Sequence, residues 1–186
     1  MRDPETRRFG ALPSVAGGAT RLAYAKAKAA GLDTDPLLKK AGITQQQIDD
    51  PALRVNVRDQ IRFLNLVADA LPDDFLGFHL ALPAELRELG LIYYVAASSE
   101  TLGQALQQAA RYSSIVNEGV SLKYGNSDAG ITFDYVGVSR HLDRHQIEFY
   151  AATAVRICRQ LTGRHVNPTR VRLAHHRDSI SPEFTE

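Results

Sequence analysis

The chain has 186 residues, of which 44% are hydrophobic, and this length and content are typical of one folded domain with a single well-filled core. Its 22 Lys and Arg against 21 Asp and Glu give a formal net charge of +1. Because nucleic-acid binding depends largely on the neutralisation of phosphates, this balance of charges argues against a DNA-binding surface on this part of the protein.

The sequence also argues against export and membrane insertion. No run of about 18 apolar residues occurs, as a transmembrane helix would need, and residues 1–8 are too polar to begin a signal peptide. The only cysteine, Cys158, has no partner for an internal disulfide, which fits a reducing compartment. We therefore expect a soluble, cytoplasmic protein without a membrane partner.

Residues 1–18 contain Pro4, Pro13 and glycines without hydrophobic periodicity, which predicts a flexible N-terminal arm. Residues 19–186 are expected to form one domain. Apolar residues recur there at three- and four-residue steps and predict helices over 19–30, 34–41, 57–71, 73–82, 89–97, 99–116 and 143–161. The segment 89–97 is nearly all apolar, so we expect it at the centre of the core.

After Glu118 the hydrophobic period changes to two, which is typical of strands. Segments 120–124 and 131–135 are separated by a polar turn and predict an antiparallel hairpin, and 171–175 predicts a third strand. Residues 181–184 resemble the first turn of another helix. The order predicts an α+β fold, with several helices packed on a small antiparallel sheet and a long helix between the hairpin and the third strand.

The residues that could carry chemistry have structural explanations. His141 and His145 lie four residues apart and could share a metal, but no cysteine or carboxylate group completes the site, and a capped helix start explains them better. Cys158 falls on the apolar side of the longest predicted helix, where a thiol behaves as a small hydrophobe. Since no nucleophile elbow, phosphate loop or dinucleotide fingerprint occurs, we expect neither an enzyme nor a bound metal or cofactor.

Several polar side chains lie on otherwise apolar segments, where a binding domain would use them to orient a small ligand. They are Tyr93, Tyr94, Arg111, Tyr112, Asn117, Glu148, Tyr150 and Arg156. For each, a buried tyrosine with a bonded hydroxyl or a surface ion pair is the alternative. Arg111 and Tyr112 are the first candidates because they lie near the end of the helix that leads into the hairpin.

The residues DPLLKKAGI at 35–43 and DPALRV at 50–55 resemble the opening of the ligand-binding domain of one large branch of AraC-type transcription regulators. Further blocks resemble that family in the same order, at 76–80, 88–92, 98–106, 110–112, 161–163, 168 and 171–175. The likeness extends over about residues 19–186 and is to an effector-sensing domain of the arabinose-binding type.

That resemblance implies a homodimer that binds a small-molecule effector of unknown class. It also implies that DNA is contacted only through two helix-turn-helix units that follow the domain in the family, so the sequence looks like a truncated regulator. The helical layout differs from a sugar-binding cupin. It is similar to the domain of haem-based gas sensors, but His79 on an apolar helix face fits a packed histidine better than an iron ligand. The alternative function is a ligand-free module for dimerisation or partner binding.

Overall fold

The structure is a computed structural model that describes residues 13–125, 130–135 and 142–175. The described helices are α1 (Gly18–Ala29), α2 (Asp35–Ala41), α3 (Gln45–Asp49), α4 (Val57–Ala70), α5 (Leu76–Ala81), α6 (Leu91–Ala97), α7 (Leu102–Val116) and α8 (Arg144–Thr162). A short 3₁₀ turn covers Leu86–Leu89. The strands are β1 (Ser14–Val15), β2 (Val55–Asn56), β3 (Val120–Gly125) and β4 (Gly130–Tyr135). This composition confirms the α+β class.

Helix α4 lies at the centre of the hydrophobic core. Its residues Phe63, Leu64 and Val67 are completely buried, at the three- and four-residue steps that place them on one side of the helix. Helix α1 packs against α4, and its small residues Ala23 and Ala27 are completely buried. Helices α2 and α8 also pack against α4.

Helix α6 does not occupy the centre of the core, so the expectation for residues 89–97 was wrong. Leu91 and Tyr94 are 54% and 58% exposed, and only Tyr93 and Ala96 of the helix are buried. As far as the described residues define it, the main hydrophobic cluster includes no side chain of α6. The helix packs on α7 and on the 3₁₀ turn. It is shorter than α4 and buries only one side, so it contributes less apolar surface to the core than α4 does.

The N-terminal arm joins the fold earlier than expected. Strand β1 pairs antiparallel with β2, placing Ser14 opposite Asn56 and Val15 opposite Val55, and Val15 is only 2% exposed. The Ala16 amide also donates to the Val116 carbonyl at the end of α7. Residues 13–18 are therefore part of the folded domain, whereas residues 1–12 of the expected arm lie outside the described residues.

The predicted hairpin is confirmed: β3 pairs antiparallel with β4, with Leu122 opposite Phe133. The expected third strand is wrong, because residues 171–175 have no regular structure. The segment after α8 is instead fixed by side chains: Arg159 of α8 donates to the Val166 carbonyl at 3.1 Å, and His175 contacts Glu148. The predicted helical turn at 181–184 lies outside the described part of the chain.

A close approach of α5 and α8 determines where the long helix lies. Gly77 of α5 packs so tightly that a Cβ atom there would lie 2.3 Å from the His145 carbonyl oxygen and 2.8 Å from the Glu148 Cβ. A glycine is required at this crossing because any side chain would collide with the α8 backbone. In the described part of the chain, no helix is long and apolar enough to span a membrane.

Candidate ligand-binding site

The junction of α6 and α7 is a short, well-fixed loop. Thr101 caps α7 by accepting a 3.2 Å hydrogen bond from the Gln104 amide, while the Gln104 side chain accepts from the Thr101 amide at 3.3 Å. The Ser98 hydroxyl donates to the Val95 carbonyl at 2.9 Å, which closes the end of α6. This reciprocal cap holds the loop in one conformation and therefore shapes the surfaces beside it.

The larger of two clefts beside this junction has a volume of about 430 Å³. Its lining is made of Val95, Ser98, Ser99, Glu100, Gln104, Gln108 and Tyr112. Gln104, Gln108 and Tyr112 follow each other at four-residue steps, so they share one side of α7. Two hydroxyls, two amides, a carboxylate and a phenol make a surface that can exchange hydrogen bonds with a small polar molecule.

A smaller cleft of about 280 Å³ shares Ser99 and Glu100 with the larger one and is bounded by the end of α8. Its apolar lining consists of Ala96, Ala97, Leu102, Ala105 and Leu161, and its polar lining consists of Ser99, Glu100, Thr101, Thr162 and Arg164. The two clefts together place the α6–α7 loop between two concave surfaces.

The first two candidate residues lie together at the larger cleft. Tyr112 lines it, and the exposed guanidinium of Arg111 lies 5.6 Å from the centre of the Tyr112 ring. Arg111 itself is not among the lining residues. The geometry therefore allows a ligand in the cleft to contact Tyr112 directly. Arg111 would influence such a ligand only through its contact with the Tyr112 ring.

Three further candidates lie near α6 and α8 but line neither cleft. The Tyr93 hydroxyl accepts a 2.7 Å hydrogen bond from the Gln160 side chain, and Tyr94 packs edge-on against Tyr93 with its ring centre 5.5 Å away. The Arg156 guanidinium donates to the carbonyls of Ala81 and Ala84, to the latter at 2.6 Å. Tyr93 and Arg156 thus hold α8 against α6 and the end of α5.

Asn117 and Tyr150 are brought into contact inside the protein. The Asn117 amide donates a 2.8 Å hydrogen bond to the Tyr150 hydroxyl and its oxygen accepts from the Gly119 amide. Burial raises the pKa of Tyr150 above its ordinary value, although hydrogen bonds with Asn117 and Gln60 act in the opposite direction. The Tyr150 ring also stacks on Phe133 of the hairpin at 6.4 Å. This pair connects the end of α7, the hairpin and α8.

A chain of buried polar side chains was not predicted from the sequence. The Thr20 hydroxyl donates to the Gln60 side-chain oxygen at 2.9 Å, and the Gln60 amide donates to Gln146 at 2.7 Å. All three side chains are almost completely buried. The sequence placed Gln60 in a helical first turn, where an amide ordinarily caps, and no periodic signal marks a glutamine that points inward.

Glu148 is completely buried between two histidines. His175 Nε2 lies 2.8 Å from one carboxylate oxygen, and His145 Nδ1 lies 3.9 Å from the other. His141, the other half of the histidine pair that the sequence suggested, lies outside the described residues. Within the described residues, no group of three or more His, Cys, Asp or Glu is arranged to hold a metal ion.

Two other residues have defined environments. His79 is only half-buried, and its Nδ1 lies 2.8 Å from the Asp73 carboxylate, so it is bonded at the surface of α5 rather than packed in the core. Cys158 is buried on α8 as the sequence predicted, and that burial raises the pKa of its thiol. A raised pKa keeps the thiol protonated and therefore a poor nucleophile.

A protein-family model matches residues 31–186 of the chain, which covers both clefts and most of the fold. That family is described as the N-terminal arabinose-binding domain of AraC transcription regulators. The match confirms the resemblance that the sequence blocks carry. A comparison with curated proteins finds no match for this chain.

Proposed function

The chain belongs to the family of N-terminal arabinose-binding domains of AraC transcription regulators, and from that premise we propose that it senses a small-molecule effector in the larger cleft between α6 and α7. The family is one of regulatory, ligand-binding domains and not a class of enzymes. The cleft volume of about 430 Å³ is the observation that carries the proposal, because small-molecule sites usually have volumes of about 300–1,000 Å³.

Helix α7 connects this cleft to the rest of the domain. Gln104, Gln108 and Tyr112 line the cleft along the helix, and the helix ends at Asn117, whose amide bonds Tyr150 in the protein interior. A 15-residue helix is about 22 Å long, so α7 spans the distance from the cleft to Asn117. An effector that fits one position of α7 better than another therefore favours one arrangement of the hairpin and α8, and it acts only through that difference in affinity.

In the regulator, this rearrangement is proposed to change how attached DNA-binding modules are placed, and so to control transcription of a target operon in the bacterial cytoplasm. The regulator is proposed to act as a homodimer, because a two-fold dimer is the commonest arrangement of soluble oligomers. DNA is proposed to be bound by the attached modules, since the net charge of this chain is only +1.

A second candidate function is dimerisation or partner binding without any ligand. It is favoured by the exposure of two large apolar side chains on neighbouring turns of α6: Leu91 is 54% exposed and Tyr94 58%. Apolar side chains grouped at a surface are typical of an interface. Sedimentation of the wild type and of Leu91→Lys tests this function, because a dimer that uses this surface would dissociate in the variant.

Thermal unfolding tests the effector-sensing function, because a ligand that binds only the folded state raises the melting temperature. The purified chain is screened against sugars including arabinose, amino acids, organic acids and fatty acids. A compound that stabilises the chain by binding in the larger cleft should lose its effect in Gln108→Ala and Tyr112→Ala, and keep it in Ser114→Ala, an exposed change on the same helix outside the cleft. A screen without any shift, from a well-folded chain, favours the ligand-free function.

A further inference from the structure

The smaller cleft combines an apolar floor with one charged side chain of each sign. Leu102, Ala105 and Leu161 supply aliphatic surface, while Glu100 and Arg164 supply the charges. Such a lining differs from that of the larger cleft, whose polar groups are mostly uncharged and which contains no arginine or lysine. The two clefts therefore select different ligand chemistry.

The two charges do not neutralise each other. In the described chain no ion pair joins Glu100 to Arg164, and the hydrogen bonds that these two residues make use only their backbone amides. Both charged groups are therefore available to a ligand. A zwitterion offers an opposite charge to each of these side chains, which a neutral polyol does not.

We propose that the smaller cleft is a second ligand site, and that it binds a zwitterion with a short aliphatic side chain, such as an α-amino acid. The ligand carboxylate pairs with the Arg164 guanidinium, whose planar donors suit a carboxylate. The ligand ammonium pairs with the Glu100 carboxylate. The aliphatic side chain covers Leu102 and Leu161, which adds affinity by removing apolar surface from water.

The size of the cleft supports a ligand of this class. Its volume of about 280 Å³ is near the lower limit for small-molecule sites and accommodates an amino acid. Since Ser99 and Glu100 line both clefts, a zwitterion here also changes the affinity of the larger cleft for its own ligand. This second site goes beyond the proposed effector function and does not depend on it.

Isothermal titration calorimetry of the purified chain with three probes tests the proposal. The probes are L-leucine, N-acetyl-L-leucine, which keeps only the carboxylate, and L-leucinamide, which keeps only the ammonium. Leucine is expected to bind most tightly. Because a hydrogen bond to a charged group contributes about 1.5–3 kcal/mol, Arg164→Gln and Glu100→Gln should each weaken leucine binding about tenfold or more.

The charge of each probe identifies its partner. Arg164→Gln should weaken N-acetyl-leucine and leave leucinamide unchanged, and Glu100→Gln should do the reverse. Arg170→Gln removes an exposed arginine outside the cleft and should bind leucine like the wild type, while Gln108→Ala tests whether leucine binds in the larger cleft instead. The proposal is overturned if wild type binds no leucine at millimolar concentration, or if leucine binding depends on Gln108 and not on Arg164.

Discussion

Arg54 and Ser14 form a two-point contact that fastens the N-terminal strand to the domain. Arg54 Nε donates to the Ser14 hydroxyl at 2.7 Å and its Nη2 donates to the Ser14 carbonyl at 3.0 Å, while Nη1 reaches the Ile115 carbonyl at 2.8 Å. Ser14 in turn donates from its amide and its hydroxyl to Glu118, and these bonds lower the pKa of that carboxyl below its ordinary value. One arginine thus joins β1 to the end of α7.

Replacing Arg54 with alanine should release this contact and lower the free energy of unfolding by about 1–2 kcal/mol, since each net hydrogen bond contributes about 1 kcal/mol and the site is exposed. Urea unfolding measures the change. Arg58→Ala, which removes an exposed arginine one turn along the chain, should leave stability within about 0.5 kcal/mol of the wild type. Equal stability of the two variants would show that the Ser14 contacts contribute nothing.

Gly77→Ala should destabilise the fold by about 1–3 kcal/mol or more, because the added methyl group would collide with the α8 backbone. The matched control is Gly18→Ala in α1, where an added Cβ meets nothing within 4 Å. That change should be neutral or stabilising by up to about 1 kcal/mol, since alanine favours a helix over glycine. Thermal unfolding of both variants measures the contrast, and a Gly77→Ala protein as stable as Gly18→Ala would contradict the close crossing of α5 and α8.

Gln60→Leu should cost about 1–3 kcal/mol because it leaves the buried Thr20 hydroxyl and the Gln146 side-chain oxygen without their partner. Gln146→Leu should be destabilising for the same reason. The double variant replaces both ends of the Gln60–Gln146 bond, so it should cost less than the sum of the single changes. Denaturant unfolding of the four proteins measures this coupling, and strict additivity would mean that the two glutamines do not interact.

Asp73 should make the fold sensitive to acid. Burial raises the pKa of its carboxyl. The hydrogen bond and charge of His79 and the charge of Lys26 together outweigh this effect, so the pKa of Asp73 in the folded protein lies below its ordinary value. The unfolded chain therefore binds this proton at higher pH than the folded chain does, and the stabilisation is complete above about pH 4 and lost as the pH falls through the folded pKa.

The stability difference between wild type and Asp73→Asn measures this effect. It should be largest near pH 6 and shrink as the pH is lowered toward 2–3. Asp69→Asn, an exposed change on α4, is the matched control. A difference for Asp73→Asn that stays constant with pH would show that the contact with His79 does not depend on the carboxylate charge.

The long helices and the hairpin could be predicted from the sequence because each repeats its hydrophobic period several times. Helices α4 and α8 end within a residue or two of their expected bounds. Strand β1 has only two residues, too few for any period to show, and its burial depends on Val55, which is distant in sequence. Residues 171–175 alternate as a strand would, but the side-chain contact of His175 with Glu148 explains the burial of His175 without a strand.

The surface that we propose for ligand binding was only partly predictable. Tyr112 was singled out from its polar group on an apolar helix, and it lines the larger cleft. Gln108 and Ser98 were not singled out. Polar residues at the surface of a helix look alike in sequence whether the surface beside them is convex or concave. Arg164 lies just after the helix-ending Gly163, and only the packing of α6 and α7 against the end of α8 makes it part of a cleft.

The contact of His175 with Glu148 determines which part of α8 bears a pulling force applied to the chain that follows this helix. Glu148 lies 14 residues before the end of α8, so the chain after Gly163 returns about 20 Å along the helix before His175 is fixed. Tension on the chain beyond His175 would therefore be borne by the buried first third of α8, close to Gly77 and the crossing with α5, and not by its last turn, which is only partly buried. A mechanical load at that point acts on the most tightly packed contact between two helices that the structure describes.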